Sequence, residues 1–215
     1  TVWTWGNNTY GQLGDGTTTN RSTPIQVSEL SDATKATGGG YHSLVLLSDS
    51  TVWAWGKNNN GELGTGGSEY ITPVQVSGLT DITSIKGGHS EWGHSLALKS
   101  DGTVWAWGHN YWGAVGDGTV KDSWTPIQIS DLSGIITIAC GWEHSMAIQS
   151  DGTVWDWGRN DSGQLGDGTI ENKYSPVQLS INLGQTATPT PTPTTSLTPS
   201  PSPTPTATPI PECSA

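Results

Sequence analysis

Four times the chain spells Val-Trp-x-Trp-Gly, at Val2–Gly6, Val52–Gly56, Val104–Gly108 and Val154–Gly158, so the starts at 2, 52, 104 and 154 step by 50, 52 and 50 residues. A period of this size marks a supersecondary unit that cannot bury its apolar face alone and must stack on its neighbours. The stretch His144–Thr169 shows the unit. A strand with alternating apolar residues (Met146, Ile148) meets Asp151-Gly152, and a second strand, TVWDWG, follows. Period-two alternation puts Trp155 and Trp157 on one face and Val154 and Asp156 on the other. Asp-Gly between two such runs predicts a hairpin with a type I′ turn, which needs positive φ at both central residues.

The rest of the period repeats as well. Loops read NNTYGQLGDGT, KNNNGELGTGG, HNYWGAVGDGT and RNDSGQLGDGT, and each is followed by a short run after a proline: PIQV, PVQV, PIQI and PVQL. Inter-repeat runs DATKATGG, DITSIKGG and GIITIACG close the cycle. Each full period therefore holds short strands ending in Gly, headed by His-Ser, carrying Trp-x-Trp, and following Pro. Four antiparallel strands per period make one blade of a β-propeller. The first repeat lacks its His strand, so about 3.5 blades are expected over residues 1–183, with repeats near 1–38, 39–88, 89–141 and 142–183. That is too few for a closed ring of such blades.

HSLALKSDGTVWAWGHNYWGAVGDGT (94–119) and its flanking Gly-x-x-His-Ser resemble the repeat of the regulator of chromosome condensation family, of the bacterial kind. The likeness covers about residues 1–180. It implies an all-β, seven-bladed propeller of which this chain is roughly half. It implies no single function, since the family includes nucleotide exchange on a small nuclear GTPase, chromatin docking, ultraviolet sensing and secreted β-lactamase inhibitors. Gly141-Trp-Glu-His-Ser145 is similar to the tryptophan motif of the ultraviolet-sensing branch, but Glu143 stands where that branch carries Arg. The exchange-factor branch uses a wedge inserted in one blade, for which the spacing leaves no room.

Composition narrows the classes further. A net charge of −11 with only 8 Lys+Arg argues against binding a phosphate backbone, so no nucleic-acid partner is expected. No apolar run is long enough to span a membrane. Four of the 13 prolines (Pro24, Pro73, Pro126, Pro176) recur once per repeat, and the others fall between 189 and 211. Residues 184–215 read as a disordered Thr/Pro-rich linker of polyproline II character, the composition of spacers between extracellular modules. Localisation outside the cell or at its surface is expected. Thr1 stands in mid-motif without Met or a signal peptide, which reads as a fragment or processed product. Cys140 reads as a buried structural thiol, and Cys213 carries no reading.

The recurrent polar residues give no expectation of chemistry. His42, His94 and His144 head equivalent strands on different blades, on the order of 10 Å apart, too far to share one ion, and each is expected to bond its own blade's loop backbone. Asp15, Asp117 and Asp167 in Gly-Asp-Gly-Thr lack the alternating acidic neighbours of a calcium loop, and the second repeat has Thr65 instead. No nucleophile elbow or phosphate loop occurs. No metal, no cofactor and no catalytic residue are therefore assigned, and the chain is read as no enzyme. The eight Trp-x-Trp tryptophans repeat identically and read as blade-to-blade packing.

Residues that break the repeat are better candidates. If the first strand of a blade runs upward, the Gly-x-x-His turn and the Asn-x-x-Gly-x-x-Gly loop share the upper face. That face would collect Tyr10, Tyr41, Glu91, Trp92, Tyr111, Trp112, Trp142 and Glu143, with Trp124 on the same long loop. Aromatics beside carboxylates on clustered loops suit a partner-binding surface, for a protein or a glycan. The alternatives are a regulator of a small GTPase and a scaffold without a ligand. Asp156 stands where other copies have Thr4, Ala54 and Ala106. A carboxylate there is costly under a covering blade, so its face is expected to be partly solvated.

Overall fold

The structure is a computed structural model, and it describes residues 1–28 and 30–182. Every regular element among these is a strand. A two-stranded sheet pairs β1 (Trp3–Gly6) with β2 (Arg21–Gln26). Three four-stranded antiparallel sheets follow: β3 (Ala33–Gly38), β4 (His42–Leu47), β5 (Val52–Gly56) and β6 (Tyr70–Gln75); then β7 (Ile82–Gly87), β8 (His94–Lys99), β9 (Val104–Gly108) and β10 (Ser123–Gln128); then β11 (Ile135–Cys140), β12 (His144–Gln149), β13 (Thr153–Gly158) and β14 (Lys173–Asn182). Strands lie in chain order within each sheet. These are blades II, III and IV, and β1–β2 is half of blade I. The expected arc of about 3.5 blades is present. The Thr/Pro linker expected over 184–215 lies outside the described residues.

The core is made between blades, as period-two alternation requires of sheets covered on both faces. Leu44, Leu46, Val52, Ala54, Leu63, Val76 and Leu79 of blade II meet Ile82, Ile85, Ala97 and Trp107 of blade III. The same positions of blade III meet Ile135, Ile138, Ala147 and Trp157 of blade IV. The second tryptophan of each pair closes the joint: Trp55, Trp107 and Trp157 are fully buried. Their indole Nε1 atoms donate to the carbonyls of Gln12, Glu62 and Ala114 on the preceding blade, at 2.8, 2.9 and 2.9 Å. A glycine floors the indole each time. At Gly64 a Cβ would lie 2.8 Å from Trp107 Nε1, and φ is +71°. Trp3 and Trp5, on the half-blade, are 53% and 61% exposed.

Three local expectations are corrected. The hairpin turn confines positive φ to Gly152 (88°), without Asp151. Gly152 N bonds Gln149 O at 3.0 Å, and Asp151 Oδ1 accepts from Thr153 N at 2.9 Å. This is a three-residue connection closed by a left-handed residue rather than a type I′ turn. Two of the three histidines bond the next blade, not their own loop: His42 Nε2 lies 3.0 Å from Ser95 Oγ, and His94 Nε2 lies 2.8 Å from Ser145 Oγ. Each ring packs so closely over a glycine (Gly39, Gly88) that a Cβ there would strike it, and it reaches past its own loop to the neighbouring hydroxyl. Asp156, finally, is only 1% exposed, and its Oδ2 has no hydrogen-bond partner. Its Oδ1 accepts from Trp157 N at 3.0 Å. Burial pushes this carboxyl up to about 7 against that backbone bond. The expected solvation of this face is absent at Asp156 itself.

Candidate functional site

The loop before each His strand and the loop after each Trp-x-Trp strand are tied together by the backbone. Lys57 N bonds Tyr41 O (2.9 Å), His109 N bonds Gly93 O (3.1 Å), and Arg159 N bonds Glu143 O (2.8 Å). Both loop sets therefore lie on one face. The Asn-x-x-Gly loops are rigid because a buried asparagine organises each. Asn110 Oδ1 accepts from Val115 N (2.9 Å), while its Nδ2 donates to Asp117 Oδ1, Thr119 O and Lys121 O at 3.1 Å each. An amide nitrogen thus occupies the point on which these oxygens converge. Among the described residues no cluster of three or more His, Cys, Asp or Glu could hold a metal ion.

On this scaffold the loops of blades III and IV build one aromatic belt. The Trp92 ring lies 6.0 Å from His109, His109 stacks at 6.5 Å and 18° on Tyr111, and Tyr111 meets Trp112 edge-on at 4.8 Å. The Arg159 guanidinium covers Trp112 at 5.0 Å, a cation–π contact. Its Nη1 bonds Glu143 Oε2 at 2.9 Å, and its Nε and Nη2 bond Asp161 Oδ2 at 2.9 and 2.7 Å. Trp142 donates to His89 O at 3.2 Å. Ser90, Glu91, Trp92, Trp142, Glu143 and Arg159 line a cavity of about 180 Å³. Trp92, Tyr111 and Trp142 are 49%, 62% and 65% exposed, whereas Glu143 is buried beneath them. Burial holds the His109 ring below its ordinary pKa, outweighing the negative charges of Asp122 and Glu143. Rigid π faces around a neutral ring and a fully engaged guanidinium suit contact by stacking and desolvation.

Of the residues singled out in the sequence, Glu91, Trp92, Tyr111, Trp112, Trp142 and Glu143 fall in or beside this belt. Tyr10 and Tyr41 form a separate pair between blades I and II, 5.0 Å apart, with Lys57 Nζ 5.7 and 5.9 Å from their rings. Lys57 joins the two groups by donating to Glu91 O at 2.7 Å. Trp124 sits elsewhere, on the outermost strand β10, against the loop glycine Gly61 of blade II. Ile71 and Tyr174 cover Gly11 and Gly113 in the same way, so Trp124 is part of the repeat. Sequence reasoning missed His109, Arg159 and Lys57. All occupy the position just after Val-Trp-x-Trp-Gly, where the first repeat has Asn7.

A family model for the regulator of chromosome condensation (RCC1) repeat matches residues 1–46, 49–98, 101–148 and 151–190, and a second matches 34–62 and 135–164. Over 153 residues the chain is 30% identical to the Arabidopsis thaliana ultraviolet-B receptor UVR8, covering 65% of this chain and 32% of that protein. Over 148 residues it is 37% identical to the Homo sapiens E3 ubiquitin-protein ligase HERC2, covering 66% of this chain and 3% of that protein. The chain thus spans a third or less of these relatives. Among solved structures it superposes on human WBSCR16 with a TM-score of 0.72 at 23% identity, over 83% of this chain and 48% of the other. On the Saccharomyces cerevisiae RCC1 protein Prp20, studied with its binding properties to Gsp1p and histones, the TM-score is 0.71 at 23% identity, over 84% and 46%. At that identity the likeness speaks for the fold alone. The matched repeats run through all four blades, and the chain belongs to the RCC1 repeat family.

Proposed function

We propose that this chain is a non-enzymatic binding module of a bacterial-type secreted or cell-surface protein, and that its belt of loop aromatics holds a protein partner. The carrying observation is the continuous run Trp92–His109–Tyr111–Trp112–Arg159, flanked by Trp142 and backed by the buried Glu143. Exposed Trp and Tyr held rigid by an engaged Arg have the composition of interface hot spots. The Thr/Pro composition of residues 184–215 supports the extracellular assignment.

The test is capture of partners from culture supernatant and surface extracts of the source cells by the wild-type chain and by a Trp92→Ala/Trp112→Ala/Trp142→Ala variant with an unchanged melting profile. The variant is expected to lose the partner. Equal recovery by both would sink the reading, and faster nucleotide release from a purified small GTPase on adding the chain would replace it with exchange activity.

A further inference from the structure

The cavity of about 180 Å³ at the joint of blades III and IV is built where the period itself is broken. Gly88–His94 reads GHSEWGH where blade IV has GWEH from Gly141, and the two additional residues account for the 52-residue step. This longer loop supplies Ser90, Glu91 and Trp92 as one wall, and Trp142, Glu143 and Arg159 form the other. Both walls belong to complete four-stranded blades. They are fixed to each other: His89 N donates to Gly141 O at 3.3 Å, and Trp142 Nε1 donates to His89 O at 3.2 Å. Ser90 Oγ donates to Trp92 O at 2.7 Å and holds the turn that carries the first indole. One blade earlier, Gly40 and Tyr41 stand where blade IV has Trp142 and Glu143, so neither that indole nor that carboxylate recurs there.

The chemistry of these walls suits a cation. Trp92 and Trp142 are both exposed, and the quadrupole of an indole face attracts positive charge. Beneath them lies Glu143, with only 6% of its side chain exposed. Its Oε2 accepts from Arg159 Nη1 at 2.9 Å, whereas Oε1 takes no hydrogen bond among the described residues. A carboxylate oxygen held that deep is costly until a donor reaches it. Arg159 does not reverse the local charge. Its Nε and Nη2 are taken by Asp161, and the exposed Glu91 at the rim makes three carboxylates around one guanidinium. The Lys57 ammonium is engaged by Glu91 O at 2.7 Å.

We infer that this cavity is the subsite for one lysine side chain projecting from the protein partner, its stem against Trp92 and Trp142 and its ammonium on Glu143 Oε1. With a single oxygen open, the fork of an arginine would find half of its bidentate partner, whereas an ammonium donates to one point. The inference rests on the belt being a protein-binding surface, and it names what that surface recognises.

The test uses the full chain and three capped tripeptides, Gly-Lys-Gly, Gly-norleucine-Gly and Gly-Arg-Gly. Binding is read by NMR at the indole N–H resonances of Trp92 and Trp142, assigned with Trp92→Phe and Trp142→Phe variants. The lysine peptide is expected to shift both resonances, and the uncharged norleucine peptide to bind about tenfold more weakly. The arginine peptide should fall between them. In a Glu143→Gln chain, which keeps an oxygen for Arg159, the lysine and norleucine peptides should bind alike. If that variant melts differently from wild type, Glu91→Gln at the exposed rim replaces it and should reduce the lysine preference by about half. Equal binding of lysine and norleucine to the wild-type chain, a preference for arginine, or shifts confined to other indoles would overturn the inference. A partner lost by the triple alanine variant, with no lysine preference among the peptides, would refute the lysine subsite alone. Equal capture by the wild-type and triple alanine chains would instead refute the belt as the partner surface, whatever the peptides do.

Discussion

Asp156 is the position where this chain departs most expensively from its own repeat, and replacing it with alanine, as at Ala54 and Ala106, should stabilise the protein. Its carboxyl is buried, Oδ2 is unpartnered, and burial holds it at about 7 in place of 3.8. Between those values the folded chain keeps a proton that the unfolded chain has lost, so the residue costs stability as pH rises from about 4 and levels off above 7. A displacement of that size corresponds to about 4 kcal/mol between the charged and neutral forms. Truncation also orphans Trp157 N as a donor, at about 1 kcal/mol. A net gain of about 3 kcal/mol is expected at pH 8 for Asp156→Ala, falling with pH and turning into a loss of about 1 kcal/mol by pH 4. Urea denaturation of both proteins between pH 4 and pH 8 measures this. Asp156→Asn, which keeps an acceptor for Trp157 N, should gain at least as much. A difference independent of pH, or one that grows as pH falls, would refute the reasoning.

Three further outcomes follow from the joints. Gly64→Ala must place a Cβ 2.8 Å from Trp107 Nε1 at positive φ, and should cost about 2–4 kcal/mol by denaturant titration; a cost below about 0.5 kcal/mol would mean the joint relaxes freely. Ser95→Ala removes both the His42 contact and the bond to Glu62 O, and should cost about 1–3 kcal/mol by the same measurement; an unchanged midpoint would contradict it. Burial holds His42 at about 4 and His94 at about 3, so the unfolded chain protonates first. Their support is complete above pH 6.5 and is lost as pH falls toward those values. A His94→Gln variant should therefore lose less stability than wild type between pH 7 and pH 5, and parallel curves would argue against it.

The arc was legible because each blade is written in full: the Trp-x-Trp, His-Ser and post-proline runs fixed strands, order and joints. What a single period could not show is whether a contact closes within a blade or onto the next, since both recur at the same spacing. That is why His42 and His94, expected on their own loops, instead meet Ser95 and Ser145. Aligning the repeats would have corrected Trp124, which stands two residues before Pro126 as Ile71 does before Pro73 and Tyr174 before Pro176. The same alignment exposes Lys57, His109 and Arg159 as one variable basic position. The burial of Asp156 was not legible, because alternation assigns a side chain to a face without saying how closely that face is covered.

The indole that donates to the preceding blade's carbonyl, seated over a glycine, recurs at every junction with the same donor, acceptor and floor. A connector of uniform gauge makes the blades interchangeable parts. Any repeat can follow any other without a matching change in its neighbour, so excision or duplication of one whole period leaves two ends that already fit. Variation is thereby freed for the loops above the joints, where Trp92, Tyr111 and Trp142 can change without disturbing the coupling beneath them.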